Sequence, residues 1–195
     1  MNKTSVWIFT ILGVLFAGVL AIWLASLAPK EEFSNVETLS AIQSEDWSKG
    51  NVDTKITLVE YADFQCPACA AYYPLVRQVG DSVGDRARIV YRHFPLPQHK
   101  NAEIAALSAE AAGAQGKFWE MHNLIFENQK SWSIAWNAEP LMKEYAQSLQ
   151  LDMDRFADDL DSSEFKKKIK NQYQEGLNAG VNSTPSFFLN GVKLQ

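Results

Sequence analysis

The chain reads as one α/β domain carrying a helical insertion, preceded by a single apolar span. Three observations lead there. Runs with β pattern stand on both sides of a long helical block, as in a mixed domain with an insertion. Val6 to Ala28 holds about 23 residues without a charge, enough to cross a hydrocarbon core of about 30 Å as a helix. The only two cysteines, Cys66 and Cys69, sit together where a strand pattern gives way to a helical one.

Trp7 and Trp23 lie near the ends of the apolar span, where amphipathic rings favour the membrane interface. Lys3 and the α-amine precede it and Pro29-Lys30-Glu31-Glu32 follows. The positive-inside bias then puts the N-terminus in the cytoplasm and the domain outside a single-pass anchor. A cleaved signal peptide competes, with Ser26-Leu27-Ala28 as its small-residue end. The apolar run is longer than a signal-peptide core, and Pro29 is a poor neighbour for cleavage. The anchor is therefore favoured, and either reading exports the domain to where disulfides persist. The expected division is 1–28 for cytoplasmic tip and anchor, 29–50 for a linker and 51–195 for the domain, with the insertion at about 100–180.

Residues 31–48 are polar without strong periodicity, so they read as a stalk, and Gly50-Asn51 marks its end. Residues 55–61 (KITLVEY) are β-branched and apolar, a largely buried strand. A helix over 66–79 follows, ended by Gly80 and Gly84, and 86–94 (RARIVYRHF) alternates as a second strand stopped by Pro95 and Pro97. Helical patterns cover 102–112, 117–128, 139–149, 153–160 and 164–179. Residues 186–189 form a short strand, and Asn190-Gly191 predicts a type I′ hairpin into 192–194.

With 47% hydrophobic and 12% aromatic residues, the 195-residue chain can bury a sizeable core. Its net charge of -5 gives no electrostatic case for nucleic-acid binding. Two cysteines in one motif leave none for a structural disulfide framework. A structural zinc site wants four Cys or His ligands; there is no second cysteine pair, and His93, His99 and His122 are scattered. Neither a metal nor a cofactor is expected.

Cys66-Pro67-Ala68-Cys69 fits a redox centre instead. At a helix start the first thiol meets unpaired N–H groups, which stabilise the thiolate that attacks and leaves in disulfide exchange. Proline suits the first helical position because its missing N–H costs nothing there. Thr184-Pro185 precedes the 186–189 strand, and is an ordinary strand-entry proline or a cis-proline beside the cysteines. Glu60 lies in an apolar strand, either on an exposed face or buried with a raised pKa and able to exchange a proton with Cys69. Asp63 reads as solvated loop, Lys166, Lys167, Lys168 and Lys170 as a solvated helix face, and Trp132 and Trp136 as core.

From about Asp46 to Gly191 the chain resembles the DsbA-like thiol-disulfide oxidoreductases, a thioredoxin fold with an inserted helical subdomain. The stretches that carry the resemblance are residues 46–51 (DWSKGN), 59–69 (VEYADFQCPAC), 91–96 (YRHFPL), 116–120 (GKFWE) and 180–191 (GVNSTPSFFLNG). The membrane-anchored form is similar to the extracytoplasmic Gram-positive branch. The resemblance implies that Cys66 is the exposed nucleophile and Cys69 the buried resolving thiol. It implies that Pro185 is a cis-proline preceded by Thr184, and that Glu60 is the buried acid below the site. Two departures stand out: Ser183 replaces a common glycine, and the family continues through a strand and a final helix where this sequence stops. Incomplete packing of residues 192–195 is expected.

The implied activity is that of a dithiol oxidase for exported proteins with thiols, reoxidised by a quinone-linked membrane partner. A reductase or isomerase on the same fold, and a non-catalytic peptide-binding module, are the rival readings.

Overall fold

The computed structural model describes residue 39 and residues 41–194. The expected membrane span and most of the linker lie outside the described residues. Among the described residues no helix is long and apolar enough to cross a membrane.

The chain order is β1 (Trp47–Gly50), β2 (Thr57–Ala62), α1 (Pro67–Val83), a short 3-10 turn, β3 (Arg88–His93), then α2 (Ala102–Gly113), α3 (Phe118–Glu127), α4 (Gln129–Trp132), α5 (Glu139–Ser148), α6 (Met153–Leu160) and α7 (Ser163–Asn178), and last β4 (Ser186–Leu189) and β5 (Val192–Lys193). The sheet order is β1-β3-β2-β4-β5. β2 and β3 run parallel, joined by α1, and the other neighbours are antiparallel. This is the mixed α/β thioredoxin-like architecture with the helical block inserted between β3 and β4.

β1 is the main departure from the sequence-based division. Residues 47–50 were expected to end the linker, but they form an edge strand on β3, with Trp47 opposite Tyr91. One tryptophan followed by Ser48, Lys49 and Gly50 carries no period-2 signal. Long-range contacts place them instead. Trp47 stacks on Phe118 at 4.5 Å and its Nε1 donates to Glu110 at 2.8 Å. A Cβ at Gly113 would lie 2.2 Å from the Trp47 ring, so α2 must present glycine there.

Strand alternation decides what faces the site. Val59, Tyr61, Val90 and Phe94 pack on one side of the sheet with Ala179, Val181 and Phe188. Ala62 and Tyr91 point the other way, into the larger core with Phe64, Cys69, Tyr73 and the inserted helices. Glu60 shares the parity of Ala62 and is paired with Tyr91 across β2 and β3. The hairpin forms as its Asn-Gly signal predicts, with positive φ at Asn190 and Gly191. Val192 and Leu194 stay about half exposed.

Candidate active site

β2 runs into the turn 63–66 and delivers Cys66 to the N-cap of α1, in extended backbone conformation with Pro67 next. Polar residues normally fill that position to accept N–H bonds. A thiolate does the same with a full charge. Both cysteines are free thiols here. Cys69, one helical turn on, is fully buried.

The resemblance made Cys66 the exposed thiol. It shows only 7% of its surface, because the 184–185 loop and the inserted helices close around it. Its Sγ lies 3.4 Å from the Thr184 carbonyl, to which the thiol donates. The Thr184–Pro185 peptide is cis, as the resemblance implied. The Thr184 hydroxyl is buried with no hydrogen-bond partner, leaving a donor for a thiolate.

The Cys66 thiol is lowered to about 5, chiefly by the hydrogen bond from Cys69; Thr184 and the Ala68 and Cys69 amides help, against the opposing effect of burial. The helix amides act here without a formal capping hydrogen bond. Burial pushes Cys69 far above the ordinary thiol range, and its hydrogen bond to Cys66 adds to the rise. The two thiols are thus split into a thiolate and a held proton.

Glu60 is buried, and burial raises its carboxyl to about 7, opposed by the charge of Lys49. Both residues line a small cavity with Tyr73, Tyr91, Trp119 and His122. Tyr91 feels the charges of both Cys69 and Glu60, and burial holds its phenol well above the ordinary range. The acid therefore lies on the dithiol side of the sheet, next to a tyrosine that also borders Cys69. His122 is pushed down to about 3 by burial and stays neutral.

Several expectations need correction. Asp63 is not solvated loop: it is buried, and its carboxylate accepts from Gln65 N at 2.7 Å, Leu96 N at 2.8 Å and His99 Nδ1 at 2.7 Å. Trp132 is core, but Trp136 is 91% exposed, on the loop that follows α4. Lys168 leaves the solvated face to reach buried Glu110 at 2.8 Å, with its ammonium 4.7 Å from the centre of the Trp47 ring. Ser183 is exposed, and its carbonyl accepts from Ser186 Oγ.

Sequence reasoning missed Gln129. Its Nε2 donates to the carbonyls of Phe64 and Cys66 at 2.7 and 2.8 Å, bracing the active-site turn from α4. Gln65 does likewise from the turn itself, reaching Ser133 O and accepting from Asn101 N. No local pattern marks a glutamine whose partner lies more than sixty residues away. Among the described residues no group of three or more His, Cys, Asp or Glu could hold a metal ion.

A thioredoxin-like sheet presenting a split dithiol beside a cis-proline is a site built for thiol–disulfide exchange. The chain belongs to the thioredoxin family: the family model described as Thioredoxin matches residues 43–195. A thioredoxin-like oxidoreductase from Silicibacter pomeroyi superposes with a TM-score of 0.67 at 25% identity, covering 78% of this chain and 84% of that one. Alpha-DsbA1 of Wolbachia pipientis superposes with a TM-score of 0.68 at 23% identity over 80% and 79% of the two chains, which speaks to fold. Among curated proteins, a Na(+)/H(+) antiporter NhaA 3 of Salinispora tropica is 39% identical over 147 residues, 75% of this chain but 22% of its own length. The chain spans less than a third of the length of the curated relatives it matches.

Proposed function

We propose that the chain is a dithiol oxidase that introduces disulfides into exported proteins from a membrane-anchored, extracytoplasmic position. The observation that carries the reading is the Cys66 thiol, lowered to about 5. Stabilising the Cys66 thiolate stabilises the reduced dithiol, which makes the disulfide form a strong acceptor of electrons.

In the oxidised state a substrate thiolate attacks Cys66 Sγ. The Cys66–Cys69 bond breaks, a mixed disulfide forms on Cys66, and Cys69 leaves as a thiolate that takes up a proton. A second substrate thiolate then attacks the substrate sulfur of the mixed disulfide. The substrate gains its disulfide, Cys66 departs as thiolate, and the site holds the two electrons. Two-electron reoxidation falls to a quinone-linked membrane partner. Glu60, held near 7, is the group suited to hand Cys69 its proton at neutral pH. Thr184 and Pro185 form the wall against which the substrate sulfur approaches.

The uncharged 6–28 span supports membrane attachment. Equilibration of the purified chain with glutathione tests the reading. A potential well above that of thioredoxin (about −270 mV) is expected, and one near it would mark a reductase.

A further inference from the structure

We infer that Asp63 and His99 are a positioning pair for the exchange reaction, holding the Asp63 amide on Cys69 so that a directed chain of hydrogen bonds ends at Cys66. Asp63 N lies 3.5 Å from Cys69 Sγ, within reach for a sulfur acceptor. Cys69 in turn hydrogen-bonds to Cys66. The order is amide N–H to Cys69 sulfur, then Cys69 S–H to Cys66 thiolate. An amide donating to Cys69 withdraws electron density from its sulfur, and so sharpens the S–H that Cys66 accepts.

The amide is held by its own side chain. The Asp63 carboxylate is buried and takes three donors. Gln65 N, from the same turn, bonds one oxygen, while Leu96 N and His99 Nδ1, from the segment between β3 and α2, share the other. Because a carboxylate can only accept, His99 Nδ1 carries the proton in this pair. The side chain of His99 is 19% exposed, so the pair runs from the dithiol turn to the surface. Asn101 extends the tie: its backbone N–H donates to Gln65 Oε1 at 2.7 Å and its side-chain Nδ2 donates to the Ala135 carbonyl at 2.9 Å.

The pair is as useful to the leaving step as to the resting state. When a substrate thiolate opens the Cys66–Cys69 bond, Cys69 departs with the electron pair. The Asp63 N–H is the donor already aimed at that sulfur. The inference rests on the exchange chemistry proposed above.

The test uses the purified full chain and three variants: Asp63→Ala, His99→Ala and His99→Asn. Asparagine places its amide nitrogen close to the position of His99 Nδ1 and keeps the bond to Asp63. Two quantities are read: the midpoint of the Cys66 thiolate absorbance, and the equilibrium with glutathione. One hydrogen bond's net worth makes Asp63→Ala and His99→Ala lower the acidity of Cys66 by up to about tenfold, with the glutathione equilibrium moving by the same factor toward the disulfide form. His99→Asn stays near the parent. If both alanine variants keep the parent's midpoint and equilibrium, the pair is merely structural, whatever happens to the melting temperature. Should Asp63→Ala not fold, the contrast between the two His99 variants decides alone. A parent chain that does not exchange with glutathione sinks the proposed function, while the Cys66 midpoint still reads the pair.

Discussion

Lowering Cys66 from an ordinary 9.0 to about 5 has a consequence that alkylation kinetics can read. At pH 7 the thiolate fraction rises from about 1% to about 99%, roughly a 100-fold gain. Nucleophilicity falls with basicity, and a Brønsted slope of about 0.4–0.5 removes ~40- to 100-fold. The two effects nearly cancel, so Cys66 is no exceptional attacker at neutral pH. What survives is leaving ability and the equilibrium. A thiolate favoured by up to about 100-fold at pH 7 raises the potential by as much as ~60 mV over the same dithiol with an ordinary thiol. The assay is the rate of iodoacetamide reaction with the reduced chain against pH; Cys69, fully buried, stays silent. The rate is expected to be half-maximal near about 5 and flat from about pH 6.5 upward. A rate still climbing about tenfold per pH step through pH 8 refutes the reasoning.

The same group makes the reduced form's stability pH-dependent. Its folded pKa lies below the unfolded value, so the contribution is complete above the unfolded thiol's pKa and disappears as pH falls through about 5. The oxidised form carries no such thiol, so the gap in melting temperature between the two forms shrinks from pH 8 to pH 5, as paired thermal melts will show. Glu60 has the opposite sign: held near 7 against an ordinary 4.5, it costs stability as pH rises between those values. Glu60→Gln should therefore stabilise by up to ~3 kcal/mol at pH 8 and by little at pH 4 in denaturant titrations, while slowing protonation of Cys69. Asp46→Ala removes the carboxylate that holds the fully buried Arg92 guanidinium at 2.7 Å, while Tyr61, the Ala41 carbonyl and Glu175 still reach it. A loss of about 1–3 kcal/mol is expected by urea unfolding, with the Cys66 titration unmoved.

What was legible in the sequence follows a physical divide. Elements announced by local chemistry are where they were expected: the β-branched run became β2, Pro67 sits at the first turn of α1, and Asn190-Gly191 turns the hairpin. Two cysteines one turn apart at that helix start specified the site. Features held by partners distant in sequence were not legible. β1 is fixed by Trp47 on Phe118 and Glu110, and Asp63 is buried because His99 and Leu96 reach it from another loop. The resemblance implied the cis Thr184–Pro185 bond, which local sequence could not decide. It also called Cys66 exposed, whereas the enclosing loops leave only a narrow face open.

In the proposed reaction, hydrogen bonds to Cys66 make this dithiol an oxidant. Equilibration with a glutathione redox buffer at pH 7 measures that most directly. A potential clearly above about −270 mV is expected. A value at or below about −270 mV would contradict it.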